Sequence, residues 1–327
     1  MRHFATLLLI LALFTACDDD SSNNTNNLNN GNNTNNSNNV NNSNNTNNVT
    51  ECPADFALLT EYQSYQGLIA CLEQGIGDPA DTITAFIQRV EQGSGFPIRE
   101  GTTVVFAYYA DPAYDQEDDE FSDEDFDPNR RLAPIAVSGD FNGWAEDDPA
   151  YHLTAAGNNF FHLEMTLTAE LQEGSAYKYI ARDNADDAVW FSDPLSRRFQ
   201  YDIYGRFSLV AGSPLAGHLE LTRDITATAL GNSRDIYIYL PPGYEQETQS
   251  YPVLYMHDGN NLFDTAQPWS NGTWDVDGVM EMELDAGNVR PFIVVGIPNN
   301  ADRMDEYTHV EDEISDGTQT YLVGGKG

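Results

Sequence analysis

Basic residues are scarce in this chain of 327 residues: 15 Lys and Arg stand against 52 Asp and Glu, a formal charge of −37. Only Lys178 and Lys326 are lysines. Phosphate binding needs clustered cations, so the composition argues against nucleic acid as a partner. Long apolar runs are missing as well; none reaches the roughly 18–20 residues of a membrane-crossing helix. Five of the six histidines, His152, His162, His218, His257 and His309, show no ligand spacing, so no metal is expected. What remains is ample for folded cores: 40% of the chain is hydrophobic and 11% aromatic. The length suggests two domains, at about 100–200 residues each.

The first fifty residues read as address and tether. Met1-Arg2-His3 is a short basic start, Phe4 to Phe14 is almost wholly apolar, and Phe14-Thr15-Ala16-Cys17 closes the run with small residues. That is the layout of a secretory signal. The cysteine after the small pair resembles a bacterial lipoprotein lipobox, which implies cleavage after residue 16 and lipidation of Cys17. An ordinary signal peptide in which Cys17 is incidental is the alternative. From Asn23 to Asn48 the chain repeats Asn-Asn-x. A segment so polar buries too little apolar surface to offset its ordering entropy, and residues 17–50 are read as a disordered spacer.

Residues 51–97 read as a small helical region. Asp78-Pro79 is a helix start. Ile83, Phe86, Ile87 and Val90 follow at i, i+3, i+4 and i+7, and Gly93 is the stop. An exported location would permit a disulfide between Cys52 and Cys71; two free thiols are the other reading.

Residues 98–213 change to short β-rich runs at 102–110, 133–138, 160–166, 176–181, 189–191 and 206–210, the pattern of a β-sandwich. Between the first two, Asp115–Asp127 holds nine acids and no base. It lacks EF-hand spacing and reads as a solvated acidic insertion. The stretch Val137-Ser-Gly-Asp-Phe-Asn-Gly-Trp144, then Tyr177-Lys-Tyr179, then Trp190-Phe-Ser-Asp-Pro194 resembles the glycogen-binding-type module found before isoamylases and in the AMP-activated kinase β subunit. The resemblance implies an immunoglobulin-like β-sandwich in which Trp144 and Trp190 stack on glucose and Lys178 hydrogen-bonds it, with a glycan as partner. Where binders carry an Asn-rich strand this chain has Tyr204-Gly-Arg-Phe207, so the two tryptophans are equally readable as core or as an interdomain seam.

Residues 214–327 begin with an alternating strand, Arg234 to Leu240, and a Pro-Gly turn. A buried-type strand from Tyr251 runs into a polar loop. Val276, Val279, Met280 and Leu284 fit one helical face, and 291–298 is a nearly continuous apolar strand. Strand, loop, helix, strand argues for a mostly parallel α/β sheet. The stretch His257-Asp-Gly-Asn-Asn-Leu-Phe-Asp264, with Trp274-Asp275, Val294-Val-Gly-Ile297 and Arg303–Thr308, resembles the esterase family that includes enterochelin esterases, feruloyl esterases, S-formylglutathione hydrolases and mycolyltransferase antigens.

The resemblance implies an α/β-hydrolase that cleaves carboxylic esters with Ser, Asp/Glu and His, the serine on a G-x-S-x-G elbow. No G-x-S-x-G occurs in the 327 residues. The expectation is therefore the first part of such a domain, with the triad outside these residues and no turnover by them alone. It also implies that the Asn260 N–H is an oxyanion donor, that His257, Asp258, Trp274, Arg303, Glu306 and Tyr307 line the substrate cleft, and that no cofactor is needed. The resulting picture is an exported serine esterase held at the bacterial envelope, periplasmic or outer-surface side, by a lipid anchor alone, acting on a small-molecule or carbohydrate-linked ester. The alternative is a non-catalytic glycan-binding lipoprotein.

Overall fold

The computed structural model describes residues 49–111, 131–169, 171–263, 273–315 and 317–325. The signal peptide, Cys17, nearly all of the spacer and the acidic insertion expected from the sequence lie outside them. The chain divides into two compact units, with the division between Ser94 and Gly95.

The first unit is a helical hairpin of α1 (Glu61–Gln74) and α2 (Pro79–Glu91). Thr60 and Gln63 cap α1 reciprocally, each side chain accepting from the other's backbone N–H. Gly75, at φ 64°, ends α1 in the left-handed conformation that glycine adopts at least cost. Asp78 accepts from the N–H groups of Ala80 and Asp81 to start α2, and Pro79 occupies the first turn. The expected stripe of Ile83, Phe86, Ile87 and Val90 is fully buried. Each such side chain contributes about 1.5–3 kcal/mol on burial. Cys52 and Cys71 are joined by a disulfide. The strap it anchors crosses α1 so closely that a Cβ at Gly67 would lie 2.8 Å from the Pro53 ring.

The second unit is mostly sheet. The strands are β1 (Ile98–Glu100), β2 (Thr103–Tyr109), β3 (Arg131–Gly139), β4 (Thr154–Gly157), β5 (Phe160–Thr166), β6 (Ala176–Arg182), β7 (Ala188–Phe191), β8 (Arg198–Asp202) and β9 (Gly205–Leu209). Then follow β10 (His218–Ala227), β11 (Asn232–Leu240), β12 (Val253–His257), α3 (Val276–Asp285), β13 (Ile293–Ile297) and α4 (Arg303–Tyr307). A short hairpin of β14 (Asp312–Ser315) and β15 (Thr320–Val323) comes last.

Four strands form one antiparallel sheet in the order β1-β2-β5-β4. Nine form another, ordered β12-β13-β11-β10-β8-β9-β6-β3, with β7 also on β6. The two sheets share a core of Val104, Phe106 and Tyr108 from β2 with Ile135, Val137, Tyr177, Tyr179 and Phe191 from the facing strands. Tyr177 and Tyr179 both donate to the buried Asp193 carboxylate, at 2.7 and 3.2 Å. Burial pushes that carboxyl up to about 6, although both hydroxyls favour its charged form.

The nine-stranded sheet does not stop where the sequence changes character near residue 214. Leu219 of β10 pairs with Phe199 of β8 and Glu220 with Arg198, so one ladder runs through both regions. Beyond β10 the sequence led us to expect a mostly parallel sheet, and this is corrected. Among the described residues only β12 and β13 run parallel; β10–β11 and β11–β13 are antiparallel. A parallel pair needs a long crossover, and α3 lies in the connection between β12 and β13.

Strand β11 puts Tyr237 and Tyr239 on one face and Ile238 and Leu240 on the other. On α3, Val276, Met280 and Leu284 pack on the first of these faces, four residues apart. Val279, expected beside them, is rotated off that line and exposed. Strand β12 also departs from expectation. Its apolar run suggested burial on both sides, yet Val253, Leu254 and Tyr255 are each more than 40% exposed. Among the described residues β12 has a single neighbour, β13, and neither face is covered in full.

Candidate active site

The site is built where β12 ends. The apolar strand delivers His257, and Asp258 then turns left-handed at φ 57°. The chain continues as a single 3-10 turn, Gly259–Asn261, closed by the Asn261 N–H on the Asp258 carbonyl at 2.8 Å. Gly259 is required here by space: a Cβ would lie 2.5 Å from the Gly296 carbonyl carbon and 2.7 Å from the Ile297 nitrogen. The turn is wedged onto the backbone of β13.

The Asp258 carboxylate is the hub. Arg303 donates to it twice, Nε to Oδ1 at 2.8 Å and Nη2 to Oδ2 at 2.7 Å. Asn299 Nδ2 donates at 2.7 Å and the Tyr307 hydroxyl at 3.2 Å, both to Oδ1. The Arg303 hydrogen bonds, with those of Asn299 and Tyr307, hold the carboxyl down at about 2, against a smaller upward push from burial. The Tyr307 hydroxyl also accepts the Asp258 N–H at 3.2 Å, and burial moves its own titration upward. Its ring stands 4.8 Å from the His257 imidazole and 4.7 Å below the Arg303 guanidinium.

Asn260 is held by its side chain. Its Oδ1 accepts from the Asn299 backbone N–H at 3.3 Å and from Asn299 Nδ2 at 3.1 Å. The Asn260 N–H takes no acceptor among the described residues. An N–H held in place without a partner is what a developing oxyanion needs.

Of the sequence-selected cleft residues, His257, Asp258, Arg303 and Tyr307 come together. Trp274 lies nearby through its backbone, its N–H on the Asn261 carbonyl at 3.0 Å, with the indole 67% exposed. Glu306 points elsewhere. It accepts from Arg234 Nη2 and Asn232 Nδ2, each at 2.8 Å, which pins α4 to β11, and the Arg234 contact lowers its titration. Arg303 and Tyr307 are four residues apart and share a face of α4. Asn299, which the sequence reading passed over, contacts both Asp258 and Asn260; an Asn just beyond an apolar strand was the one available signal.

A family model described as "Putative esterase" matches residues 227–322. That match supports an esterase-type hydrolase. Among solved structures, the chain resembles an enterochelin esterase from Shigella flexneri at 16% identity and a TM-score of 0.27, over 63% of this chain and 55% of that one. A Shigella flexneri enterobactin esterase solved in the presence of enterobactin aligns at 14% identity and a TM-score of 0.27, over 68% of this chain and 60% of that one. This chain thus spans a little over half the length of either. No curated protein matches it.

Away from this corner, Trp144 and Trp190 lie 6.2 Å apart at 42°, and Trp144 is 37% exposed. Trp144 Nε1 donates to Asp140 Oδ1 at 3.1 Å. Lys178 is buried and donates to the Tyr204 carbonyl at 2.9 Å, while the Tyr204 side chain is 78% exposed. Arg206 is buried with its guanidinium 4.0 Å over the Phe199 ring.

His218, Glu220 and Glu245 converge within 4.8 Å, a grouping the sequence spacing did not show. His218 and Glu220 stand two apart on β10 and so share its face; Glu245 comes from the turn after β11. Arg198 Nε is 2.5 Å from Glu245 Oε1 and 3.8 Å from Glu220 Oε1, and Arg197 Nε is 3.4 Å from Glu220 Oε1. Two guanidiniums already balance the two carboxylates, which leaves the cluster no surplus negative charge to draw a metal ion. Burial would raise Glu220, but Arg197, Arg198 and His218 hold it well below the usual carboxylate range. Glu245 is lowered in the same way by Arg198 and His218.

Proposed function

We propose that this corner is the oxyanion side of a serine carboxylic-ester hydrolase of the α/β-hydrolase type. The observation that carries the reading is the Asp258–Asn261 turn, wedged on β13 with the Asn260 N–H unspent. The nucleophile lies outside the reading, since no G-x-S-x-G occurs in the 327 residues. The upstream sheets are read as an immunoglobulin-like sandwich of the glycogen-binding type. Cys17 is read as the lipidated residue of an exported envelope protein, and a small-molecule or carbohydrate-linked ester as the substrate.

The test compares these 327 residues with the chain expressed from its complete natural reading frame, using p-nitrophenyl acetate and a fluorophosphonate inhibitor. The expected result is inhibitor-sensitive turnover by the complete frame and none by the 327 residues. Absence of turnover from both overturns the reading.

A second reading, a glycan-binding lipoprotein, is favoured by the exposed Trp144 beside Trp190. Flat aromatic faces suit the apolar faces of sugars. Affinity electrophoresis in starch and xylan gels decides it: retardation lost in Trp144→Ala supports binding, and unretarded migration of the wild-type protein removes it.

A further inference from the structure

We infer that Arg303 and Asn299 are positioning residues for the Asn260 N–H, acting through Asp258 and the Asn260 side chain. The chemistry of this inference rests on the esterase reading above; its geometry stands without it. The peptide that presents the Asn260 N–H joins Gly259 to Asn260. Glycine is the most permissive residue of the backbone, so this peptide plane would rotate freely if its neighbours were loose. They are not loose. Asn299 Nδ2 is shared between Asp258 Oδ1 at 2.7 Å and Asn260 Oδ1 at 3.1 Å, so one amide group grips the residues on both sides of Gly259. The Asn299 N–H adds a second bond to Asn260 Oδ1 at 3.3 Å.

Arg303 supplies what a single amide cannot. Its two donors meet both oxygens of the Asp258 carboxylate, at 2.8 and 2.7 Å, and a two-point contact fixes the carboxylate plane as well as its position. With that plane fixed, Asp258 is held in a left-handed conformation that a non-glycine residue seldom adopts unaided. Tyr307 closes the third side, donating to the carboxylate and accepting the Asp258 N–H. The turn after β12 is thus locked by groups from the segment after β13. Two of the Arg303 donors, Nε and Nη2, are committed to this lock.

The test uses the complete natural chain carrying Arg303→Lys or Asn299→Ala. Lysine keeps the charge and loses the fork, so a charge role and a geometric role separate. The first readout is amide exchange at Asn261, whose N–H closes the same turn on the Asp258 carbonyl at 2.8 Å, and it needs no turnover. We expect at least tenfold faster exchange in both variants, with β13 amides unchanged. The second is hydrolysis of p-nitrophenyl acetate: kcat falling about 10–100-fold, below the loss on deleting an oxyanion donor outright, with KM within about twofold. Unchanged Asn261 exchange in both variants overturns the inference. If the wild-type chain shows no turnover, the esterase reading fails and the exchange measurement decides the positioning role by itself. Faster exchange with unchanged kcat overturns the link to catalysis.

Discussion

The paired-sheet core around Tyr108 and the corner around Asp258 hold themselves together by opposite means. The first is packed aromatic surface: Phe106, Tyr108, Tyr177, Tyr179 and Phe191 meet edge to face or tilted, at 50–73°, with centroids 5.0–6.0 Å apart. A single carboxylate is buried among them, and its titration is pushed up. The second has little apolar cover, because β12 is exposed. Its carboxylate is fixed by a guanidinium, an amide and a phenol, and its titration is pushed down. Burial dominates in one region and hydrogen bonding to the charged form in the other. Rigidity can come from excluding water or from directed polar contacts, and the second region, unlike the first, holds its turn by the latter.

The largest expected break is in the packed region. Phe106→Ala, at a fully buried ring, should cost about 4 kcal/mol in chemical denaturation while leaving the Asn260 amide shift in place. Next is the joint between the regions. Arg198→Met leaves Glu245 and Glu220 buried without their shared guanidinium, and should cost about 3 kcal/mol. Because both carboxylates are depressed in the fold, the stabilisation from this cluster is complete above the ordinary carboxylate range. It is lost as pH falls through the folded values, and the wild-type minus variant difference should shrink in acid.

The pH response sharpens the contrast further. Between its ordinary value of 3.8 and about 6, Asp193 binds a proton in the folded state but not in the unfolded state. Stability therefore falls as pH rises through that window, by about 3 kcal/mol for two pKa units. Asp193→Asn should remove that fall in urea titrations at pH 4 and 7. Asp258 has the reverse sign: its contribution is complete above 3.8 and disappears as pH drops toward about 2. Protection factors in the 258–261 turn should therefore fall in acid over a range where those of the β6 amides do not. The smallest effect on global stability is Arg303→Lys, below about 1 kcal/mol for a side chain 43% exposed. A large thermal shift in that variant would mean that the corner supports the whole fold.

The sequence made some of this visible for physical reasons. The α2 stripe and β13 were legible because each buries an unbroken periodic or apolar run. Strands β8 and β10 were not, since they carry Arg198, His218 and Glu220 into a buried ion cluster and so read as polar. The turn at Asp258 was found through its motif. The direction of Glu306 was not, because α4 sends Arg303 and Tyr307 to one side and Glu306 to Arg234 on the other. Asn299 escaped because its partners lie 39 and 41 residues away and no local pattern announces them.

The continuous ladder through β8 and β10 has a consequence for taking the molecule apart. A cut near residue 213 would bare two unpaired strand edges at once, one on each piece, both exposed to pairing with other chains. It would also divide Arg198 from its acidic partners. The region upstream of the esterase-like strands is therefore not a detachable module. The two should melt as one cooperative block, and each fragment produced alone should be recovered as aggregate.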